Sequence, residues 1–303
     1  MAQLADGHET GAGGGVSAPD EAVRAALARF AGGREALAAG VAISSLAGGL
    51  DNDSWRVASP LGEWVLRIAG GRDARYQINR VAERQTQTAA AQLGFGPAVV
   101  YAEPARGILV SEFLAGRAWT RDDVRAPAGI RMLAERLGAL HRAAVPRGVR
   151  RMNVHDVLQH YLELPDLAAG PVARADLTAR LRWSLATYQS APAALCHNDL
   201  HYRNLIGDAP LRFVDWEYGG VGDPVFELAA VCGYHDYDAA QRALLIEAHG
   251  GNIDAEHLGR MCLVFDCLHV LWLDAAAGWD SLEPERRAAL VERLAVDPAI
   301  RKR

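Results

Sequence analysis

Lysine is all but absent. One stands in 303 residues, Lys302, and arginine supplies the rest of the 32 basic side chains. A mechanism that needs an interior lysine is thereby excluded. Cysteine is scarce too: Cys196, Cys232, Cys262 and Cys267 include no C-x-x-C pair. That spacing argues against a zinc ribbon or a disulfide framework and fits a reducing, cytoplasmic setting. No uncharged apolar run approaches the roughly 18 residues of a membrane span, so no membrane insertion is expected. The opening MAQLADGHETGAGGG has neither a basic start nor an apolar stretch, so no secretory signal is expected. Positive charge is not in excess, the formal net charge being −5. The whole molecule therefore does not attract polyanions, and no nucleic-acid partner is expected. The arginine-rich stretch 117–151 is interrupted by Asp122, Asp123 and Glu135 and reads as a solvated face.

What is present is the composition of a globular protein, 50% hydrophobic and 23% charged, long enough for one large domain or two modest ones. Residues 1–18, rich in Gly and Ala without periodicity, read as a disordered leader. A helix is expected from Pro19, with Val23, Leu27 and Phe30 at helical spacing and the Gly32-Gly33 pair closing it. SLAGGLDNDSWRVASPLG reads as strand, glycine turn, strand and hairpin turn. In GEWVLRI, Trp64, Leu66 and Ile68 point one way and Glu63, Val65 and Arg67 the other, which is strand alternation. A helix over 76–93 ends at Gly94, and ILVSEF (108–113) is a short strand. After Gly116 helices dominate. Ile130, Leu133, Leu137 and Leu140 form one apolar stripe; Leu258, Met261, Phe265, Leu268 and Trp272 form another. Between them lies a strand-loop-strand unit.

That unit carries the chemistry. HNDLHYRN (197–204) followed by VDWE (214–217) sets Asp199, Asn204 and Asp215 on two short loops flanked by apolar strands. Hard oxygen donors of this kind suit Mg²⁺, which takes one or two carboxylates and completes its shell with water and phosphate oxygens. A carboxylate five residues before an asparagine, with a second carboxylate at the next strand end, is the arrangement by which protein kinases hold metal and accept a hydroxyl proton. His197, Asp199 and His201 also spell H-x-D-x-H, a pattern open to zinc. It lacks a further ligand group and leaves Asn204 and VDWE unexplained.

Taken with GGLDNDSWRV, WVLRI, INRVAERQTQTAAAQLGFGPAVVY and FVDWEYGGVGDPVFELA, these motifs resemble the choline kinase and aminoglycoside phosphotransferase superfamily, bacterial choline kinases most of all, over about 40–280. The resemblance implies an α+β, two-lobed protein-kinase-like fold. Its N-terminal lobe (19–114) is a small antiparallel sheet with one long helix; its C-terminal lobe (115–303) is mostly helical and carries catalysis and the acceptor site. The cofactors implied are ATP and Mg²⁺. Carried onto this chain, Asp199 orients or deprotonates the acceptor hydroxyl, and Asn204 and Asp215 hold magnesium. Glu217 assists or forms a salt bridge. Arg67 stands where protein kinases have their strand lysine, and Glu83, sixteen residues on, is its helix partner. Gly48, Gly49, Asn52 and Ser54 fall in the loop over the nucleotide phosphates, and Glu112, Phe113 and Leu114 at the adenine-pairing hinge. Trp216 replaces the phenylalanine of the protein-kinase D-F-G, and Glu227 stands where many relatives have Asp to brace the catalytic loop.

The acceptor implied is a small amino alcohol, choline first. Tyr218, Tyr234, Trp272 and Asp236 are the candidates for holding its cation. Trp272 also fits the apolar stripe and a place in the core. Aminoglycosides, ethanolamine and thiamine are the alternative acceptors, and a non-catalytic nucleotide-binding module is the alternative of another class. The interval after Asp215 is too short for a peptide-docking activation segment.

Overall fold

The structure, a computed structural model, describes residues 18–46, 52–164, 174–185, 193–276 and 279–294. The expected leader, but for Ala18, and the loop glycines Gly48 and Gly49 lie outside the described residues. The chain forms two units. The first comprises the described residues up to Asp73, Ile78–Thr120 and Tyr202–Glu217; the second comprises Ala74–Gln77, Arg121–His201 and the residues from Tyr218 onward.

In the first unit, helices α1 (Ala18–Leu27) and α2 (Ala31–Ala39) lead into strands β1 (Ala42–Leu46), β2 (Asn52–Ser59) and β3 (Gly62–Ala69). Helix α3 (Arg80–Gln92) follows, then β4 (Val99–Glu103) and β5 (Ile108–Glu112), and the sheet is antiparallel in the order β1-β2-β3-β5-β4. The single helix expected before the sheet is thus two. The Gly32-Gly33 pair does not end a helix but opens α2, because a Cβ on Gly33 would sit 2.1 Å from the Leu27 carbonyl oxygen. Val23, Ala26 and Leu27 of α1 pack with Trp55, Val57, Leu66, Ile108 and Val110 of the sheet. The period of two in β3 therefore sends Leu66 into this core and its neighbour Arg67 to the other face. Helix α3 starts at Asn79, whose side chain accepts the Ala82 N–H, and stops before Gly94, at φ +76°.

The boundary expected after residue 114 falls at Thr120, and 202–217 joins the first unit. Short paired strands, Leu205–Ile206 and Arg212–Phe213, tie it there: Trp119 N–H donates to Leu205 O, Phe213 N–H to Phe95 O, and Leu114, Ala118, Ile206 and Val214 form a small core.

The second unit is mainly helical: α4 (Arg121–Arg125), α5 (Pro127–Arg142), α6 (Val154–Glu163), α7 (Arg174–Leu185), α8 (Pro224–His235), α9 (Ala239–His249), α10 (Ala255–Ala276) and α11 (Pro284–Leu294). Strand Ala194–Cys196 pairs antiparallel with Gly220–Gly222. The α5 stripe is buried as expected, and so are Leu258, Met261 and Phe265 of α10, while Leu268 and Trp272 stay half-exposed. Helix α8, capped by Asp223 on the Val225 N–H, is buried along most of its length, so its polar residues need partners inside the unit.

Candidate active site

In the first unit Arg67 is 4% exposed and meets three carboxylates: it ion-pairs with Glu83 on α3, and its Nη1 lies 3.0 Å from Asp215 Oδ1 and 3.4 Å from Glu217 Oε2. Burial opposes the guanidinium charge, but Glu83, Glu217 and Asp215 outweigh it and raise the Arg67 pKa. A second buried arginine, Arg80, sits one helical turn before Glu83. It donates to Glu83 at 3.0 Å, Glu217 at 2.9 Å, Asn52 Oδ1 at 2.9 Å and Asp73 at 2.6 Å.

Asn52, expected over the nucleotide phosphates, is instead a buried strut: its amide donates to Glu217 Oε2 at 2.9 Å while its oxygen accepts from Arg80. Glu217 Oε2 thereby takes three donors, two of them guanidiniums. Burial, then the charge of Asp215, pushes its carboxyl up to about 8 against the pull of Arg67 and Arg80. Ser54 lies buried opposite Arg67 in the β2–β3 register. At the hinge positions, Glu112 N–H donates to Ala98 O and Phe113 N–H to Glu63 O, and Leu114 is buried. Two of the hinge N–H groups thus serve the sheet itself.

Asp215 has φ +67°, a left-handed conformation that Asp tolerates better than most residues. Behind it, Trp216 is fully buried and donates to Phe213 O at 2.9 Å. Asn204, also fully buried, accepts the Val214 N–H through its backbone carbonyl, one residue before Asp215. Carboxylate oxygens of Glu83, Asp215 and Glu217 lie within 4.8 Å of one another. Four carboxylates, counting Asp73, thus face two guanidiniums, and the donors are oxygens only. An all-oxygen donor set of this kind fits a divalent cation such as Mg²⁺.

The second unit holds Asp199 with the loop before it. Asn198 has φ +65°, and one oxygen of the fully buried Glu227 accepts both the His197 N–H at 2.6 Å and the Asn198 N–H at 2.8 Å. The other oxygen of Glu227 meets His141 Nε2 at 2.5 Å, and His141 Nδ1 lies 2.9 Å from His249 Nε2. Burial opposes the Glu227 charge, but the His141 and backbone contacts outweigh it and lower the pKa. Burial, then His141 and Arg142, lowers the His249 pKa to about 4. Through their facing ring nitrogens His141 and His249 form a chain that ends on the Glu227 carboxylate. Glutamate in place of aspartate reaches the loop and His141 together.

The acceptor candidates separate. Trp272 and Tyr218 come together, indole N–H to phenol oxygen at 3.3 Å, with the Tyr76 ring 6.3 Å from the indole. Trp272 is thus not simply core. Tyr234 turns its hydroxyl to Asp199 Oδ1 at 2.7 Å. Asp236 does not await a substrate cation: Arg121 holds its carboxylate at 3.2 Å and Arg286 at 2.7 Å. Its charge is answered within the protein, and Asp236 leaves the acceptor set. Sequence reading missed Arg80, Asp73, Tyr76, His141 and His249. Only Arg80 left a trace there, as the residue three before Glu83 on one helix face.

Residues 42–263 match the family model described as the phosphotransferase enzyme family. A crystal structure of a choline/ethanolamine kinase family protein from Mesorhizobium loti has a TM-score of 0.71 at 25% identity, covering 93% of this chain and 96% of that one. A LicA homolog of Metamycoplasma hominis is 32% identical over 87 residues, 28% of this chain and 34% of its own length. A thiamine kinase of Escherichia coli is 37% identical over 100 residues, 33% of this chain and 35% of its own length. The matched segments span about a third of these two relatives.

Proposed function

The chain belongs to the phosphotransferase enzyme family, and we propose that it moves the γ-phosphate of ATP to the hydroxyl of a small amino alcohol, choline before others. The observation that carries this reading is Arg67: a buried strand guanidinium ion-paired to Glu83 on α3 and to Asp215 reproduces the strand-to-helix pair that a kinase needs in place for phosphoryl transfer. The loop bearing Asp199 is braced from within by Glu227, which holds a carboxylate ready for the acceptor hydroxyl. Asp199 aligns that hydroxyl and takes its proton as the phosphoryl group leaves ATP. Asn204 and Asp215 would hold Mg²⁺, with Glu217 acting through the arginines. Bound there, the metal would neutralise charge building on the phosphate oxygens. Positioning and charge neutralisation supply the catalysis.

Choline is favoured by the Tyr218–Trp272 pair, whose ring faces suit a quaternary ammonium, and by the likeness to the choline/ethanolamine kinase family structure. Thiamine, a hydroxyl-bearing cation, is the second reading, favoured by the thiamine kinase relative. A protein held in the cytoplasm agrees with the free cysteines.

Purified protein with ATP and Mg²⁺ is screened against choline, ethanolamine, thiamine, several aminoglycosides and a blank. Turnover stimulated by choline alone supports the reading, and stimulation by another acceptor moves the specificity. Asp199→Ala abolishes turnover and leaves ATP binding largely intact, whereas Asp215→Ala weakens Mg-ATP binding as well. Nucleotide binding with silence across the whole panel favours the non-catalytic module.

A further inference from the structure

We propose that Tyr234 is a positioning residue for Asp199, its hydroxyl holding one carboxylate oxygen so that the other is presented to the acceptor. The inference rests on the reading of Asp199 as the group that receives the acceptor proton. A carboxylate swings freely about its last torsion, whose wells are broad, so a short loop alone does not decide which oxygen faces the substrate.

Tyr234 supplies that decision from α8. Its O–H donates to Asp199 Oδ1 at 2.7 Å, a length typical of a hydrogen bond to an ionised acceptor. The phenol cannot follow a moving carboxylate, because its ring is gripped on several sides. Phe265 meets it edge-on with centroids 4.9 Å apart, His269 at 5.7 Å and His201 at 5.9 Å. Beside the second oxygen, His201 Nε2 lies 3.9 Å from Asp199 Oδ2, and the Asp199 N–H donates to His197 Nδ1 at 3.3 Å. The titratable and charged groups around the pair are His197 and His201 on the loop, Glu227 on α8, His269 on α10, Tyr161 on α6 and Arg286 on α11, which donates to the Tyr234 carbonyl at 3.0 Å. Burial, then the negative charge of Asp199, raises the Tyr234 pKa, which keeps the hydroxyl a donor. A tyrosine that the sequence offers as an aromatic wall for a cation has its polar end committed elsewhere.

Tyr234→Phe removes the hydroxyl and keeps the ring packing. In protein carrying ¹³C-labelled aspartate, the Asp199 carboxyl titrates at higher pH in the variant, because a bond that stabilises the ionised form is gone. With the acceptor found by turnover screening, kcat falls about tenfold, the KM values for ATP and acceptor stay within about twofold, and the acid limb of kcat/KM moves to higher pH. A thermal midpoint near wild type separates this from loss of fold. An unmoved Asp199 titration overturns the proposal. So does a rise in acceptor KM at unchanged kcat, which would make Tyr234 part of acceptor recognition. Asp199→Asn distinguishes the two levels: full turnover in that variant removes the reading of Asp199 itself, whereas a dead Asp199→Asn beside an unaltered Tyr234→Phe removes only the role of Tyr234.

Discussion

Glu227 accepts the Asn198 N–H at 2.8 Å across 29 residues of sequence, one residue before Asp199. The same carboxylate meets His141 at 2.5 Å, so its length is used at both ends. Glu227→Asp withdraws about one methylene of reach and cannot satisfy the loop and His141 at once. Loss of a hydrogen bond to a buried charged group costs about 1.5–3 kcal/mol, and turnover falls because the loop relaxes. Urea unfolding and steady-state kinetics on Glu227→Asp check both. Wild-type values for each would show that the extra methylene is idle.

Arg67 answers three carboxylates on two segments, Glu83 on α3 and Asp215 and Glu217 on one loop, and deleting it leaves them facing one another. Arg67→Ala is expected to cost about 3–5 kcal/mol of stability, the usual penalty for orphaning a buried ionic partner. Arg67→Lys keeps the charge but not the fork, so it costs less and still loses nucleotide affinity. Denaturant midpoints and an ATP titration of both variants test this order. Equal stability of Arg67→Ala and wild type would contradict it.

Gly96 makes room for Trp216: a Cβ there would lie 2.7 Å from the indole nitrogen and 3.3 Å from Phe213 O. Gly96→Ala therefore overpacks the site and destabilises by about 1–3 kcal/mol. Part of that loss is recovered in the double variant with Trp216→Phe, whose ring is smaller. A double-mutant cycle reads the coupling, and strict additivity would deny the contact.

Three histidines of the second unit, His235 and His249 buried and His269 half-buried, make the fold sensitive to acid. Burial lowers the pKa of His235 to about 3, and those of His249 and His269 to about 4. Each folded value lies below that of an unfolded histidine, about 6.5. Between those values the unfolded chain binds the proton and the native one does not, so stability is full above about pH 6.5 and falls as the pH drops toward 4. His235→Leu removes one such group and lowers the slope over that interval by about 1.4 kcal/mol per pH unit. Urea unfolding at pH 7, 6, 5 and 4 measures it, and an unchanged slope would mean that His235 is protonated in the native state.

Much of the first unit was legible because its signals are local. The alternation of GEWVLRI places Leu66 and Arg67 on opposite faces whatever surrounds them, and Asn79 and Gly94 bracket a helix by their own chemistry. The Gly32-Gly33 pair misled for the converse reason. Glycine permits a helix end, but here it permits close contact with the Leu27 carbonyl, which no neighbour in sequence announces.

The same divide runs through the candidate site. Residue type and spacing in HNDLHYRN and VDWE are what make Asp199, Asn204 and Asp215 candidates, since hard oxygen donors suit magnesium and phosphate chemistry. What each polar group meets was decided by folding alone. Asn52 turned to Glu217, Asp236 to Arg121 and Arg286, Tyr234 to Asp199, and Glu227 to His141. Periodicity tells which face a side chain takes. Its partner comes from a segment distant in the chain, and burial makes finding one obligatory.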